Sequence, residues 1–417
     1  MSNFSKLIDR YDRYFMYYMN KIISSFPKPK RKFYIDIVYG ILKSKSIIIS
    51  NIAHSLNEKI LLKKTIERLT KFLNTEIDGS LQRAKYDLII SLMDDKELKT
   101  FIVDDTDVIK PYGKHFESLG KVKDGSAIET TFEQGYRVTS IVGLSKVAKH
   151  PLPFYDTFHS ETQKGFNSIN KYTLSGLNSI NRISNDYTCL FIFDRGYDDN
   201  KLIKYFNEAN QYFIVRLTKK RKILVKNKKI KLMNEALKKK GKIVIPVTYK
   251  GNKLEAKASH IKVKLLGFKG TYYIVFNYLG DAKEPIMLLT NKQINSKEDV
   301  IAIVKYYCSR WKIEEYFRFK KVEFGFEGFR VRSLNSINHL TLCLDLAIIF
   351  LTILIENKSE LYDILIGLSK NLKDDKSYLK FYQLISGINK LLGHKEMGIK
   401  TKEKVEQRNK IKQLTLF

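Results

Sequence analysis

Two apolar runs in this chain end in acids. "FIV" leads into Asp104 and Asp105, and "CLFIF" leads into Asp194. A half-buried carboxylate is costly unless it is paired or bound to metal. A third acid, Glu314, lies in "YYCSRWKIEEYFRFKKVEFG", which holds the single tryptophan and has no Gly or Pro before Gly325. Two strand-end aspartates and one helical glutamate make an oxygen-rich set suited to magnesium or manganese. Two such ions about 3.5–4 Å apart activate an attacking oxygen on one side and stabilise the leaving oxygen on the other. That chemistry serves phosphodiester cleavage and strand transfer.

The stretch around Glu314 reads as one amphipathic helix. Tyr307, Arg310, Glu314 and Lys321 are offset by 3, 7 and 14 residues. At about 100° per residue they share roughly 60° of arc. Glu315 is about 100° away from Glu314 and points elsewhere. The plainer alternative is a solvated face on which Arg310 and Glu314 form an ordinary i,i+4 pair.

Several elements must position these residues. Residues 1–97 read as helical, and their apolar positions recur at helical spacing in Ile48, Ile49, Ile52, Ala53 and Leu56, then in Ile66, Leu69, Phe72 and Leu73. The two short helices resemble a helix-turn-helix, with Lys63, Lys64, Arg68 and Lys71 on the second. A plain helical hairpin fits as well. "PKPKRK", Pro27 to Lys32, reads as a basic loop. Near residue 100 the period shortens. "TFIVDD", "YRVTSIVGLSKVA", "LPFYDTFH", "YTCLFIFD" and "QYFIVR" read as strands, with a helix over 166–184 and another in "DDNKLIKYFNEA" capped by Asp198 or Asp199. Asp107 reads as a turn residue. A strand that delivers an acid at its carboxyl end is where open α/β sheets place their sites.

The lysine-rich segment 219–291 reads as an inserted antiparallel β subdomain. Ser296 and Asp299 have the spacing of a capping box. The expected organisation is a helical DNA-binding region over 1–97, a catalytic core over 98–218 and 292–338 interrupted by the 219–291 insertion, and a helical region with a polar tail over 339–417.

The 417 residues are 44% hydrophobic and carry a formal net charge of +31. A chain this basic is expected to meet polyanions, nucleic acid first. Abundant Lys, Ile and Asn, as in AT-rich genomes, account for part of the lysine count. Cys189, Cys308 and Cys343 are far apart and imply a reducing compartment. The charged N-terminus lacks a signal-peptide pattern. The apolar stretch from His339 contains Asp345 and reads as a buried core helix. The expectation is a cytoplasmic protein, nucleoid-associated when bound to DNA, without a membrane span or small-molecule cofactor.

The spacing Tyr307-x2-Arg310-x3-Glu314-x6-Lys321 resembles the signature of bacterial DDE transposases of the insertion-sequence-4 group. "SRWKIEEYF", "FDRGY", "YFIVR" and "VDDTD" resemble blocks of the same family, over roughly residues 100 to 350. The resemblance implies an α/β fold with a ribonuclease-H-like mixed sheet, a β-rich insertion, and flanking helical regions. It implies two divalent ions, Mg2+ or Mn2+. It also implies DNA as partner, cleavage at the ends of the element's own DNA with joining to a target, and a homodimer on DNA ends. Asp194 would be the second metal ligand and Glu314 the third. The first is Asp104, which fits a family pattern with the aspartate two residues before Thr or Ser, or Asp105, which fits another with it directly before Thr; Asp104 is preferred. Arg310 and Lys321 would hold phosphates, Tyr307 would contact the same strand or fix the helix, and Arg216 together with Lys63, Lys64 and Arg68 of the helical region would bind the DNA. Where some relatives carry a base-stacking tryptophan, this chain has Ile286. Trp311 is expected in the core, and a stacking role would fall to Tyr272 or Phe276. A DNA-binding protein without catalysis and a metal-dependent nuclease of the same fold remain alternatives.

Overall fold

Tyr11, Phe15, Tyr18 and Ile22 recur at helical spacing and are all buried. They lie on α1 (Ser2–Ile23), the first of five helices that precede any strand: α2 (Lys28–Ser44), α3 (Ile49–Leu56), α4 (Leu62–Leu73) and α5 (Gly79–Leu92). The computed structural model describes residues 2–94, 98–123, 131–183, 187–225, 228–238, 241–369 and 380–393. The polar tail expected after residue 393 lies outside them.

The chain divides into two units. One comprises residues 1–88, 114–117 and 318–417, and the other residues 89–113 and 118–317. The first is helical. Its centre is the apolar segment expected as a core helix, which forms α11 (Leu334–Asn357). This helix is long and apolar enough to cross a membrane, but 89% of its most apolar window is buried inside the protein. Phe350 on α11 meets Tyr11, Phe15 and Tyr18 of α1 ring to ring. Tyr18 donates to the Leu346 carbonyl at 2.6 Å. Asp345, buried within α11, is paired with Lys85 at 3.3 Å and Lys320 at 3.8 Å. A buried acid flanked by two lysines is tolerated because each charge has a partner.

The basic segment Pro27 to Lys32 is not a loop. Helix α2 begins at Lys28 and takes Pro29 into its first turn, where the missing N–H costs no intrahelical bond. Helices α3 and α4 form as expected, but Arg68 is not a free contact for DNA. It is held by Asp36 at 2.8 Å and Glu58 at 2.8 Å. Burial opposes the charge on Glu58, yet hydrogen bonds from Lys32, Arg68 and Thr65 hold its carboxyl down at about 2. Lys63 and Lys64 are exposed on α4.

The second unit is built on one sheet. Its strands are β1 (Lys99–Ile109), β2 (Gly120–Lys123), β3 (Phe132–Leu144), β4 (Pro151–His159), β5 (Cys189–Phe193) and β6 (Tyr212–Arg216). They continue with β7 (Lys222–Val225), β8 (Lys228–Lys231), β9 (Ile243–Tyr249), β10 (Asn252–Leu265), β11 (Tyr272–Leu279) and β12 (Ile286–Thr290). The core runs β4-β3-β1-β5-β6. The first three strands are antiparallel neighbours, and β5 and β6 run parallel to β1. This is the order and direction of a ribonuclease-H-like mixed sheet. Helix α6 (Ile169–Asn181) crosses from β4 to β5, and α7 (Asn200–Ala209) crosses from β5 to β6. Such connections are what parallel strands require.

The lysine-rich segment is β-rich, but it continues the core sheet. Strand β12 pairs antiparallel with β6, and β11, β10, β7 and β8 follow outward, with β9 also on β10. One short helix, α8 (Leu232–Lys238), interrupts it and had no clear sequence signal. Strand β1 does not stop at its acids. It runs through Asp107 to Ile109, so Asp107 is not a turn residue; it lies opposite Arg137 in the ladder and pairs with it at 3.4 Å. The acids continue the strand because β3 supplies partners from Phe101 through Ile109.

After β12, α9 (Lys297–Cys308) opens on the expected capping box, with Ser296 accepting from the Asp299 N–H. The expected single helix is then broken. Ser309 and Arg310 form a turn, and α10 (Trp311–Phe324) starts anew. The wheel for Tyr307 and Arg310 therefore does not apply across the break. Helix α12 (Glu360–Leu368) follows α11.

Candidate active site

The parity of β1 separates its two acids, since successive side chains leave opposite faces of a strand. The Asp104 carboxylate accepts from Arg310 at 2.9 Å. Asp105 meets a different set of groups. Burial pushes its carboxyl up, against the hydroxyls of Thr139 and Tyr197 and the charge of Arg137. Thr139 in turn shares a 2.9 Å hydrogen bond with the buried His159, whose ring stacks on Tyr172. Burial holds that imidazole down at about 4.

Asp194 follows the last residue of β5, where five consecutive buried residues give way to a short turn. Its Oδ1 accepts from the Tyr307 hydroxyl at 3.3 Å, and Arg216 at the end of β6 stands 3.8 Å from the same atom. The next two acids have separate duties. Asp199 caps α7 by accepting from the Lys201 N–H at 2.6 Å, and Asp198 accepts from the Thr218 N–H at 2.9 Å and pairs with Arg221.

Glu314 is in the first turn of α10, where a negative charge suits the helix dipole. It pairs with Arg310, and with Lys250 at 3.4 Å. Lys250 and Gly251 form the tip between β9 and β10, both with positive φ, at 48° and 85°. The left-handed backbone suits Gly251 and strains Lys250 mildly.

Arg310 is the hub. It is 6% exposed, yet it faces four groups that favour its charge. Burial alone would lower its pKa, but Asp104, Asp194, Tyr307 and Glu314 together hold it above the ordinary arginine value. Its Nε is buried without a hydrogen-bond partner among the described residues. At Asp104, burial dominates over Arg310 and pushes the carboxyl up to about 7. Burial and Asp194 raise the Tyr307 hydroxyl.

The structure thus gathers Asp104, Asp194, Glu314, Tyr307, Arg310 and Arg216. Lys321 lies on the part of α10 that belongs to the helical unit, where it pairs with Glu327 at 2.8 Å. Trp311 is buried, as expected. Tyr272 and Phe276 are both buried too, and Tyr272 bonds to Asn207, so neither presents a ring for stacking. The residues between them on β11 are buried as well, so both faces of that strand are packed.

All ligands available to a cation here are carboxylate oxygens, the donor type of a hard divalent ion. Among the described residues, no group of three or more Asp, Glu, His or Cys stands at ligand spacing. Asp104 and Glu314 are linked instead through the Arg310 guanidinium, while Asp194 is held by Tyr307 and Arg216 and acts on Arg310 only through its charge. Sequence reasoning missed Lys250, which had no signal beyond a Lys-Gly turn.

Residues 167–350 match the family described as "Transposase DDE domain". Asp194 and Glu314 fall inside the transposase DDE match, while Asp104 precedes it. No curated protein matches the chain. A solved structure similar to part of it is the NurA nuclease from Sulfolobus solfataricus, with 10% identity, a TM-score of 0.27, and coverage of 59% of this chain and 83% of that one.

Proposed function

We propose that this protein is a DDE transposase that cleaves DNA at the ends of its own insertion element and joins the freed 3′ hydroxyl to target DNA. One observation carries the reading. Acids from β1 and α10 pair with one buried arginine, the acid at the end of β5 adds its charge to the same group, and two of the three lie inside the transposase DDE match.

Asp104, Asp194 and Glu314 would hold divalent ions, Mg2+ or Mn2+. Bound there, the ions supply Lewis acidity at the attacking and leaving oxygens of a phosphodiester. Asp104 is the better first ligand because it shares Arg310 with Glu314, whereas Asp105 faces Thr139 and Tyr197. Arg310 would offer its positive charge to a DNA phosphate at the site. Tyr307 and Arg216 keep the Asp194 carboxylate in place and would border the same strand. Lys321, Lys63 and Lys64 would add phosphate contacts, in keeping with the net charge of +31. A dimer assembled on DNA ends and an origin in the insertion-sequence-4 group belong to the same proposal.

The test is a Mg2+- or Mn2+-dependent cleavage and joining assay on DNA carrying the sequences that flank the gene. Joined product that disappears in Glu314→Ala and Asp194→Ala supports the reading. Cleavage without joining favours a nuclease, and specific binding without cleavage favours a DNA-binding protein that lacks catalysis.

A further inference from the structure

We infer that Asp156 and Tyr316 are positioning residues that fix the rotation of α10 and thereby the placement of Glu314 opposite Asp104. The inference rests on the proposed role of Glu314 for its catalytic consequence, though its structural part stands alone.

The sheet places a row of polar residues beside the site. Asp104 on β1 is directly opposite Ser140 on β3, and Ser140 is directly opposite Asp156 on β4. Directly opposed residues project from the same face of a sheet. The face that carries Asp104 therefore also carries Ser140 and Asp156, two strands away. Both oxygens of Asp156 are engaged. Oδ1 accepts from the Ser140 hydroxyl, and Oδ2 accepts from the Tyr316 hydroxyl at 2.5 Å. Ser140 and Tyr316 are fully buried.

Tyr316 is two residues beyond Glu314 on α10. Two residues correspond to about 200° of helix rotation, so Tyr316 is directed to nearly the opposite side from Glu314. A bond on one side of a helix limits how far the other side can roll. The hydrogen-bonded series Ser140–Asp156–Tyr316 ties α10 to the strand next to Asp104, while Arg310 ties Glu314 to Asp104 from the other direction. A charge-assisted bond buried at a phenol is among the stronger side-chain links available. A buried tyrosine packed by shape alone needs no acid at its tip, and a half-buried acid is costly unless it has such a partner.

The experiment compares wild type with Tyr316→Phe, Asp156→Asn and the double variant. The first readout is amide hydrogen exchange of peptides spanning 311–324, with fluorescence of the single tryptophan, Trp311, as a second report on the same helix. Tyr316→Phe keeps the ring and its packing, so the fold should persist. Faster exchange over 311–324 than over the α9 peptides is expected in both single variants, with no further increase in the double. The second readout is single-turnover cleavage with metal titration. Misplacement by about 1 Å costs on the order of 100-fold. The expected result is a loss of tenfold to 100-fold in rate and a raised metal half-saturation, with unchanged DNA affinity. Unchanged exchange in Tyr316→Phe overturns the inference whatever the activity. Faster exchange with normal cleavage and normal metal dependence overturns the catalytic consequence. If wild type itself neither cleaves nor joins, the proposed function fails, and exchange alone decides whether the bond sets the helix.

Discussion

Arg310 donates to Asp104 at 2.9 Å across 206 positions of sequence. The same guanidinium reaches Glu314, four positions on and in the first turn of α10. One planar cation therefore spans an acid on a strand and an acid on a helix. A lysine ammonium is a single point of charge and lacks that fork.

Arg310→Lys should for this reason lower single-turnover cleavage by about tenfold or more, although it preserves charge. Arg310→Ala should lower it further and should also weaken DNA binding. Cleavage by Arg310→Lys at the wild-type rate would show that the fork is dispensable.

The two adjacent aspartates should separate in a paired substitution. Asp104→Asn should remove cleavage by at least about 100-fold while leaving the melting temperature within a few degrees. Asp105→Asn should retain measurable cleavage and shift thermal stability instead, because its carboxyl is buried against Thr139 and Tyr197. Differential scanning calorimetry beside the cleavage assay distinguishes the two.

Basic residues on α4 should divide in the same manner. Lys63→Ala with Lys64→Ala should lower the salt dependence of DNA binding, with the slope of log affinity against log salt falling by about one for each phosphate left without its lysine. The melting temperature should not move. Arg68→Ala should instead cost about 1–3 kcal/mol of stability, since it takes one partner from each of half-buried Asp36 and Glu58 and leaves them to Lys32.

Acid stability should depend on His339. Burial holds its imidazole down at about 4, where it hydrogen-bonds to Tyr34 at 3.0 Å. The unfolded value is about 6.5. The folded state disfavours the proton, so this contribution is complete above about pH 6.5 and is lost progressively as the pH falls to about 4, up to about 3 kcal/mol. Urea unfolding across that window should show a shallower decline in His339→Asn than in wild type. Parallel declines would place the acid sensitivity elsewhere.

Sequence pattern revealed the parts of this fold whose signal is local. Five apolar residues before Asp194 could only be a buried strand, and the spacing of Ser296 and Asp299 announced the start of α9. Helix α11 was visible because an apolar run containing one acid suits a core better than a membrane. The parts that escaped are fixed by tertiary partners. No single residue between Tyr306 and Phe324 breaks a helix, yet the chain turns at Ser309 and Arg310. Likewise, β1 continues past its acids because β3 pairs with every one of them. "FIV" gave no face to the neighbouring aspartates; partner groups did. Asp156 carried no signal until the ladder placed it in line with Asp104.

The antiparallel pairing of β12 with β6 has a practical consequence for anyone trimming this protein. Residues 219–291 have the composition of a detachable module, but removing them would strip the neighbour from β6. Phe213, Ile214 and Val215, now buried, would sit on an open sheet border. Unpaired strand borders recruit other chains. A shortened protein should accordingly precipitate or self-associate rather than yield a soluble catalytic core.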